Sequence, residues 1–142
     1  MIVAKKFKWE AAHRLPWHIG KCKQLHGHSY KMIVEFEGEP NENGMIIDFN
    51  DIKNMLDPLV KQIDHATIIS KNDIELKEIF EAKQWKYFLL PYDSTAENLC
   101  AFFLETIINE NKQVLKENNI SKVGIKIFET ETAYAYSTKL VD

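Results

Sequence analysis

Residues 22–37 read CKQLHGHSYKMIVEFE, a stretch that joins a strand pattern to a group of reactive side chains. Over Tyr30–Phe36 every second residue is apolar, which predicts a strand with one buried face. His26 and His28 flank Gly27 immediately before this pattern. Residues two apart in an extended chain point to the same side, so we expect the two imidazoles to converge on one point.

A third histidine ends the preceding strand pattern. Residues 2–13 alternate between apolar and charged types, and His13 shares the side of Phe7 and Trp9. If the two strands pair as a hairpin, His13 lies beside His26 and His28. Three neutral imidazoles with an open fourth position are typical of a catalytic zinc site, so the sequence predicts a metal centre here.

Cys22 lies four residues before His26, in a polar loop. A thiol close to a divalent cation or a protonated imidazole is readily ionised and can act as a nucleophile or general base. The same thiol could instead be a fourth ligand, which would close a structural zinc site. The spacing alone leaves both open. We predict a structural role for Cys100, in an apolar helical pattern, and solvent exposure or packing within the loop for His18.

The remaining patterns predict an α+β domain over residues 1–142, with an antiparallel sheet and helices on one face. An apolar stripe over 52–63 predicts a long helix that Pro58 should kink or break. Ser94-Thr95-Ala96-Glu97 has capping-box spacing and should open a second long helix. We expect shorter elements as well: a strand at 45–48, a helix at 73–82, and strands at 85–90, 123–127 and 133–140.

Two acidic positions have alternative interpretations. Asp64 precedes His65 directly after the first long helix, and an aspartate can orient an imidazole for acid–base chemistry. Adjacent residues rarely bond in this way, and a histidine at a helix C-terminus is the simpler interpretation. Glu129 ends an apolar strand face, where its carboxylate either binds a ligand with two donors or is exposed to solvent.

Composition limits the class of protein. The chain has 142 residues, a net charge of -3 and a single arginine, which argues against a nucleic-acid binder. Its longest apolar run, Leu99–Leu104, is far shorter than the roughly 20 residues that cross a bilayer. With two cysteines and no visible signal peptide, we expect a cytoplasmic protein that binds neither membranes nor nucleic acid.

Several motifs together resemble the 6-pyruvoyltetrahydropterin synthase/6-carboxytetrahydropterin synthase family over essentially the whole chain. The most specific is the Cys-x-x-x-His-Gly-His element with an upstream Ala-Ala-His. The motifs that carry the resemblance are Ala11–Pro16, Cys22–Tyr30, Gly44–Phe49, Asp64-His65, Thr95–Leu99 and Glu129-Thr130. The four-residue step from Cys22 to His26 looks like the bacterial 6-carboxy branch, which serves queuosine and 7-deazapurine synthesis.

The resemblance implies a tunnelling fold, with a four-stranded antiparallel sheet backed by two long helices. It implies trimers that stack into hexamers, with active sites at subunit interfaces. The implied zinc ligands are His13, His26 and His28. The implied catalytic residues are Cys22 as base and Asp64 and His65 as a proton shuttle. The implied pterin-binding residues are Glu129, Thr95 and Glu97.

The resemblance also implies a reaction on 7,8-dihydroneopterin triphosphate. Triphosphate leaves, and in the 6-carboxy branch the side chain is cleaved as well, with release of acetaldehyde. One departure from compact bacterial members is a longer segment at 67–92, with Ser94 where proline is common. We expect this segment to shape the substrate entrance or to contact a neighbouring subunit.

Overall fold

The computed structural model describes residues 1–142, and its centre is the predicted hairpin. Strand β1 (Ile2–His13) pairs antiparallel with β2 (His26–Gly38) along their whole lengths, from Ile2 opposite Glu37 to His13 opposite His26. Alternate residues of both strands are buried, as the sequence pattern predicts. The hairpin therefore places all three histidines of the predicted metal centre at one end of one sheet face.

The sheet has six strands and is mixed, which corrects the four-stranded antiparallel sheet implied by the family resemblance. The other four strands are β3 (Ala66–Ser70), β4 (Tyr87–Leu90), β5 (Ile120–Phe128) and β6 (Tyr134–Leu140). The strand order is β4-β3-β1-β2-β5-β6, with β3 and β4 parallel to their neighbours and the other pairs antiparallel.

The long segment 67–92 accounts for the extra strands. A helix, Ile74–Lys83, connects β3 to β4, and we call it α2. Ile68 of β3 belongs to the main core, whereas Ile69 packs against Leu76 and Phe80 of α2. Since β3 is buried on both faces, it lacks the alternation that would have revealed it in the sequence.

Two long helices cover one sheet face, as predicted: α1 (Phe49–Ile63) and α3 (Ala96–Glu110). A short helix, α4 (Lys112–Glu117), follows α3. Helix α1 continues through Pro58 without a break, and the expected strand at 45–48 is instead an irregular approach to the N-cap residue Asp48. None of the helices is long and apolar enough to span a membrane.

The loop that joins β1 to β2 is tied to α2 by an ion pair. The Arg14 guanidinium donates to both carboxylate oxygens of Asp73, at 2.8 and 2.7 Å. Asp73 also caps α2 by accepting from the Leu76 N–H. Arg14 follows His13 directly, so this contact fixes the start of the loop that carries Cys22.

Candidate metal centre

The side chains of His13, His26 and His28 meet at the end of the hairpin. One ring nitrogen from each lies within 4.8 Å of the others, and the Nε2 atoms of His26 and His28 are 3.1 Å apart. His13 is buried, and the other two are half-buried. The arrangement expected from the hairpin is therefore present, with its mouth on the side of His26 and His28.

Two backbone carbonyls orient the imidazoles. Nδ1 of His13 lies 2.9 Å from the Ser94 carbonyl oxygen, and Nδ1 of His26 lies 2.7 Å from the Gln24 carbonyl oxygen. A carbonyl only accepts, so each Nδ1 carries the proton and each Nε2 presents a lone pair. The buried Nε2 of His13 has no hydrogen-bond partner. Two imidazoles oriented by carbonyls, with the Nε2 atom of a third imidazole beside them, are a donor set that a divalent transition metal takes, so the residues fit a metal ion.

Burial favours the neutral form of two of the three histidines, His13 and His28. It lowers the pKa of His13 from its usual 6.5 to about 4 against the weaker opposing effect of the Ser94 carbonyl, and the neighbouring histidines lower it further. The pKa of His28 is also lowered, first by burial and then by His26. A metal ligand must be neutral imidazole, so the site is prepared for a cation at neutral pH.

The pKa of His13 gives a prediction for the metal-free protein. In the unfolded chain His13 binds a proton below about pH 6.5, whereas in the folded protein it does so only below about 4. The free energy of unfolding therefore does not depend on His13 above about pH 6.5, falls as the pH drops from there to about 4, and is lower by about 3 kcal/mol in all, with more than half of that loss reached by pH 5. Urea unfolding at pH 7 and pH 5 should show this loss, and an NMR titration should find the His13 ring neutral at pH 5. A His13 ring that titrates near 6.5 would contradict it.

Glu129 faces the histidine cluster. It directly follows β5, and its carboxylate oxygens lie 3.9 Å from Nε2 of His13 and 3.9 Å from Nε2 of His28. Burial raises its pKa, although the nearby His26 acts in the opposite direction. Glu129 therefore does not simply project into solvent from the strand end. It lies between the cluster and an open recess.

That recess has a volume of about 570 Å³ and includes Glu97, Glu129 and Thr130. The start of α3 differs from the predicted capping box by one residue: Thr95, not Ser94, is the N-cap, and its hydroxyl accepts from the Asn98 N–H. Glu97 is thus free to line the recess, whereas Thr95 is not among the lining residues.

Cys22 lies in a single 3₁₀ turn, Lys21–Lys23, and is half-buried. It is not a member of the three-histidine group, in which the ligand atoms lie within 4.8 Å of one another. Its carbonyl accepts from the Leu15 N–H at 2.8 Å, which ties the turn to the end of β1. In this arrangement three imidazoles are placed to hold a metal ion, and the thiol does not join them. The buried Cys100 donates to backbone carbonyls, in agreement with a structural role.

Asp64 and His65 bond to each other, contrary to the expectation for adjacent residues. Asp64 Oδ2 lies 3.0 Å from His65 Nδ1, and Asp64 Oδ1 accepts from the Glu10 N–H at 2.9 Å. The backbone of His65 is left-handed, with φ of 59°. The Glu10 N–H and, more weakly, His65 lower the pKa of Asp64, so the pair contains a carboxylate at neutral pH.

No hydrogen bond or ion pair joins the Asp64–His65 pair to the three histidines. His65 lines a recess of about 390 Å³ that His28 also borders, together with Glu10, Ala12 and Ser29. Glu10, Ala12 and Ser29 alternate with the buried residues and so belong to the sheet face turned away from α1 and α3. One chain therefore does not bring Asp64 and His65 onto the face that carries the histidine cluster.

The fold and the site define an α+β protein with a three-histidine centre of the kind that catalytic metals use. The sequence profile described as 6-pyruvoyl tetrahydropterin synthase matches residues 2–139. The chain is 31% identical over 140 residues to 6-carboxy-5,6,7,8-tetrahydropterin synthase of Haemophilus influenzae, covering 93% of this chain and 94% of that protein. It is 36% identical over 155 residues to a putative protein of that name from Pyrococcus horikoshii, covering 96% and 92%.

A solved structure agrees with the sequence relatives. The 6-pyruvoyl tetrahydropterin synthase of Plasmodium falciparum superimposes with a TM-score of 0.79 at 20% identity, covering 99% of this chain and 98% of that one, and so shares the fold. The chain belongs to the 6-pyruvoyl tetrahydropterin synthase family, a family of lyases. The family membership predicted from the motifs is confirmed.

Proposed function

We propose that the protein is a zinc-dependent 6-carboxy-5,6,7,8-tetrahydropterin synthase. It converts 7,8-dihydroneopterin triphosphate with release of triphosphate and acetaldehyde, as a step toward queuosine and related 7-deazapurines. The observation that carries this proposal is the three-histidine cluster with an acidic side chain at its mouth. The names of the Haemophilus influenzae and Pyrococcus horikoshii relatives support the 6-carboxy product.

His13, His26 and His28 would hold Zn²⁺, which supplies Lewis-acid polarisation of the substrate side-chain hydroxyls. Glu129 lies within 4 Å of two of these ligands and opens into the neighbouring recess, so it is placed to bind the amino-pyrimidine edge of a pterin. A carboxylate accepts two parallel N–H bonds from such an edge. Glu97 lines the same recess and Thr95 begins the helix beside it, and we assign both to substrate binding.

We assign proton transfer to residues outside the three-histidine cluster. We assign Cys22 as the base that removes a proton from the substrate side chain, from the loop beside the histidines. His65, oriented by the Asp64 carboxylate at 3.0 Å, returns a proton to the substrate. Because the Asp64–His65 pair lies on the other sheet face, we propose that a neighbouring subunit supplies it and that the chain assembles as trimers and hexamers.

Product analysis tests the reaction. Purified protein loaded with Zn²⁺ and given 7,8-dihydroneopterin triphosphate should release triphosphate and acetaldehyde in equal amounts, without a nicotinamide or flavin. Enzymatic assay of acetaldehyde together with chromatography of triphosphate measures both. Triphosphate without acetaldehyde would contradict the proposal and identify a 6-pyruvoyltetrahydropterin synthase. Release of neither would point to a non-catalytic member of the fold.

A further inference from the structure

Lys86 contacts the end of helix α1 from a distant part of the chain. It lies just before β4, and its ammonium donates to the carbonyl oxygens of Lys61 at 2.9 Å and Asp64 at 2.6 Å. The last carbonyls of a helix have no partner within the helix and form the negative end of its dipole. A cation with two such bonds therefore fixes the way in which the chain leaves α1.

The chain leaves α1 directly into the Asp64–His65 pair. Asp64 is the C-cap of α1, and its N–H donates to the Val60 carbonyl. The next residue, His65, has a left-handed backbone that residues with a Cβ rarely adopt. The peptide between the two residues contains the carbonyl that Lys86 binds, so a rotation of this peptide would displace the His65 ring from the Asp64 carboxylate.

Backbone hydrogen bonds with Glu10 hold the Asp64 carboxylate and the His65 backbone in place. The Glu10 N–H donates to Asp64 Oδ1, and the His65 N–H donates to the Glu10 carbonyl at 2.6 Å. The Lys86 carbonyl accepts from the Thr67 N–H at 3.3 Å, which anchors Lys86 to β3. Lys86 therefore supplies the only side-chain cation that bonds to the backbone of the pair, and it comes from the long 67–92 segment.

We propose that Lys86 is a positioning residue for the Asp64–His65 proton shuttle, because its ammonium fixes the carbonyl of the peptide that joins the two residues. The inference rests on the proposed function, since it acts through the role assigned to His65. With this role for Lys86, the 67–92 segment contributes to proton transfer as well as adding two strands to the sheet. The pKa of Asp64 agrees with this: it is lowered first by the Glu10 N–H, then by His65, and also by Lys86.

The test compares Lys86→Met and Lys86→Gln with Lys86→Arg, and uses Lys53→Met on α1 as the control. Lys53 is exposed and has no side-chain bond. With 7,8-dihydroneopterin triphosphate we expect kcat to fall about tenfold in the first two variants while KM changes less than about twofold, the size of one charge-assisted hydrogen bond. Arginine should restore most of kcat, and Lys53→Met should match the wild type. In a His65→Ala background, Lys86→Met should cause no further loss.

An NMR readout separates this inference from the proposed function. The side-chain nitrogen signals of His65 should shift in Lys86→Met and Lys86→Gln and return in Lys86→Arg, whether or not the protein turns over this substrate. An inactive wild type would overturn the proposed function alone. Unchanged His65 signals, an unchanged kcat in an active enzyme, or an additive loss in the His65→Ala background would overturn the role of Lys86. Thermal unfolding identifies any variant that has failed to fold, and Lys86→Gln is the milder substitution for that case.

Discussion

Replacing Cys22 with alanine should abolish turnover and leave the metal content of the protein unchanged. The thiol lies outside the three-histidine group, so its loss removes no ligand. As the proposed base it contributes about 100-fold to 10,000-fold to the rate, and we expect kcat to fall by about a thousandfold. The turn that carries it is held by backbone contacts that alanine preserves. Steady-state assay of triphosphate release, with zinc measured by atomic absorption on the same sample, gives both quantities.

Cys100→Ala is the matched control, because it removes the other thiol of the chain. Cys100 is a buried residue of α3 that does not itself line the recess, so that variant should retain both zinc and kcat with a lower stability. Loss of zinc from Cys22→Ala would contradict the assignment as base. It would instead establish the closed site of one thiolate and three imidazoles that the spacing of Cys22 and His26 left open.

The convergence of the three histidines could be predicted because it depends on local geometry. The alternation runs through most of residues 2–13 and 29–37, with Lys5 and Ile33 as exceptions, and side chains two residues apart in a strand lie on the same face. Once the two strands pair, the parity of His13, His26 and His28 places all three on the core side. The protein relatives then confirm the family that these motifs indicated.

The features that sequence reasoning missed all depend on distant contacts. Strand β3 was hidden because α2 buries its second face and removes the polar alternation. The Ser94 carbonyl binds His13 across 81 positions of the chain, and no local pattern reports such a contact. Both Ser94 and Thr95 suit an N-cap, and the burial of Ser94 against His13 leaves the cap to Thr95. The Asp64–His65 contact occurs where His65 has a positive φ, which the residue type alone does not indicate.

Replacing His28 with alanine should remove the metal and with it the activity. His28 is the suitable ligand to test, because its side chain is 17% exposed whereas that of His13 is 1% exposed, and truncating His13 would leave a cavity in the core. One imidazole of three accounts for roughly a third of the binding free energy, so zinc affinity should fall by about a thousandfold or more. Competition with a chromophoric chelator measures the affinity, and triphosphate release measures the activity.

His18→Ala is the control for this prediction, because His18 accepts from the Gly20 N–H within its own loop and is outside the cluster. That variant should bind zinc as the wild type does, and retention of full zinc affinity by His28→Ala would place the metal elsewhere.

The folding of metal-free His28→Ala distinguishes a catalytic from a structural ion, since a protein that depends on a structural zinc site unfolds when the site is emptied. The main core contains 27 buried residues between the sheet and the helices, and the sheet extends well beyond the histidines at one end of the hairpin. We therefore expect the metal-free variant to keep its circular dichroism spectrum and a cooperative urea transition, whereas unfolding on metal loss would establish a structural zinc.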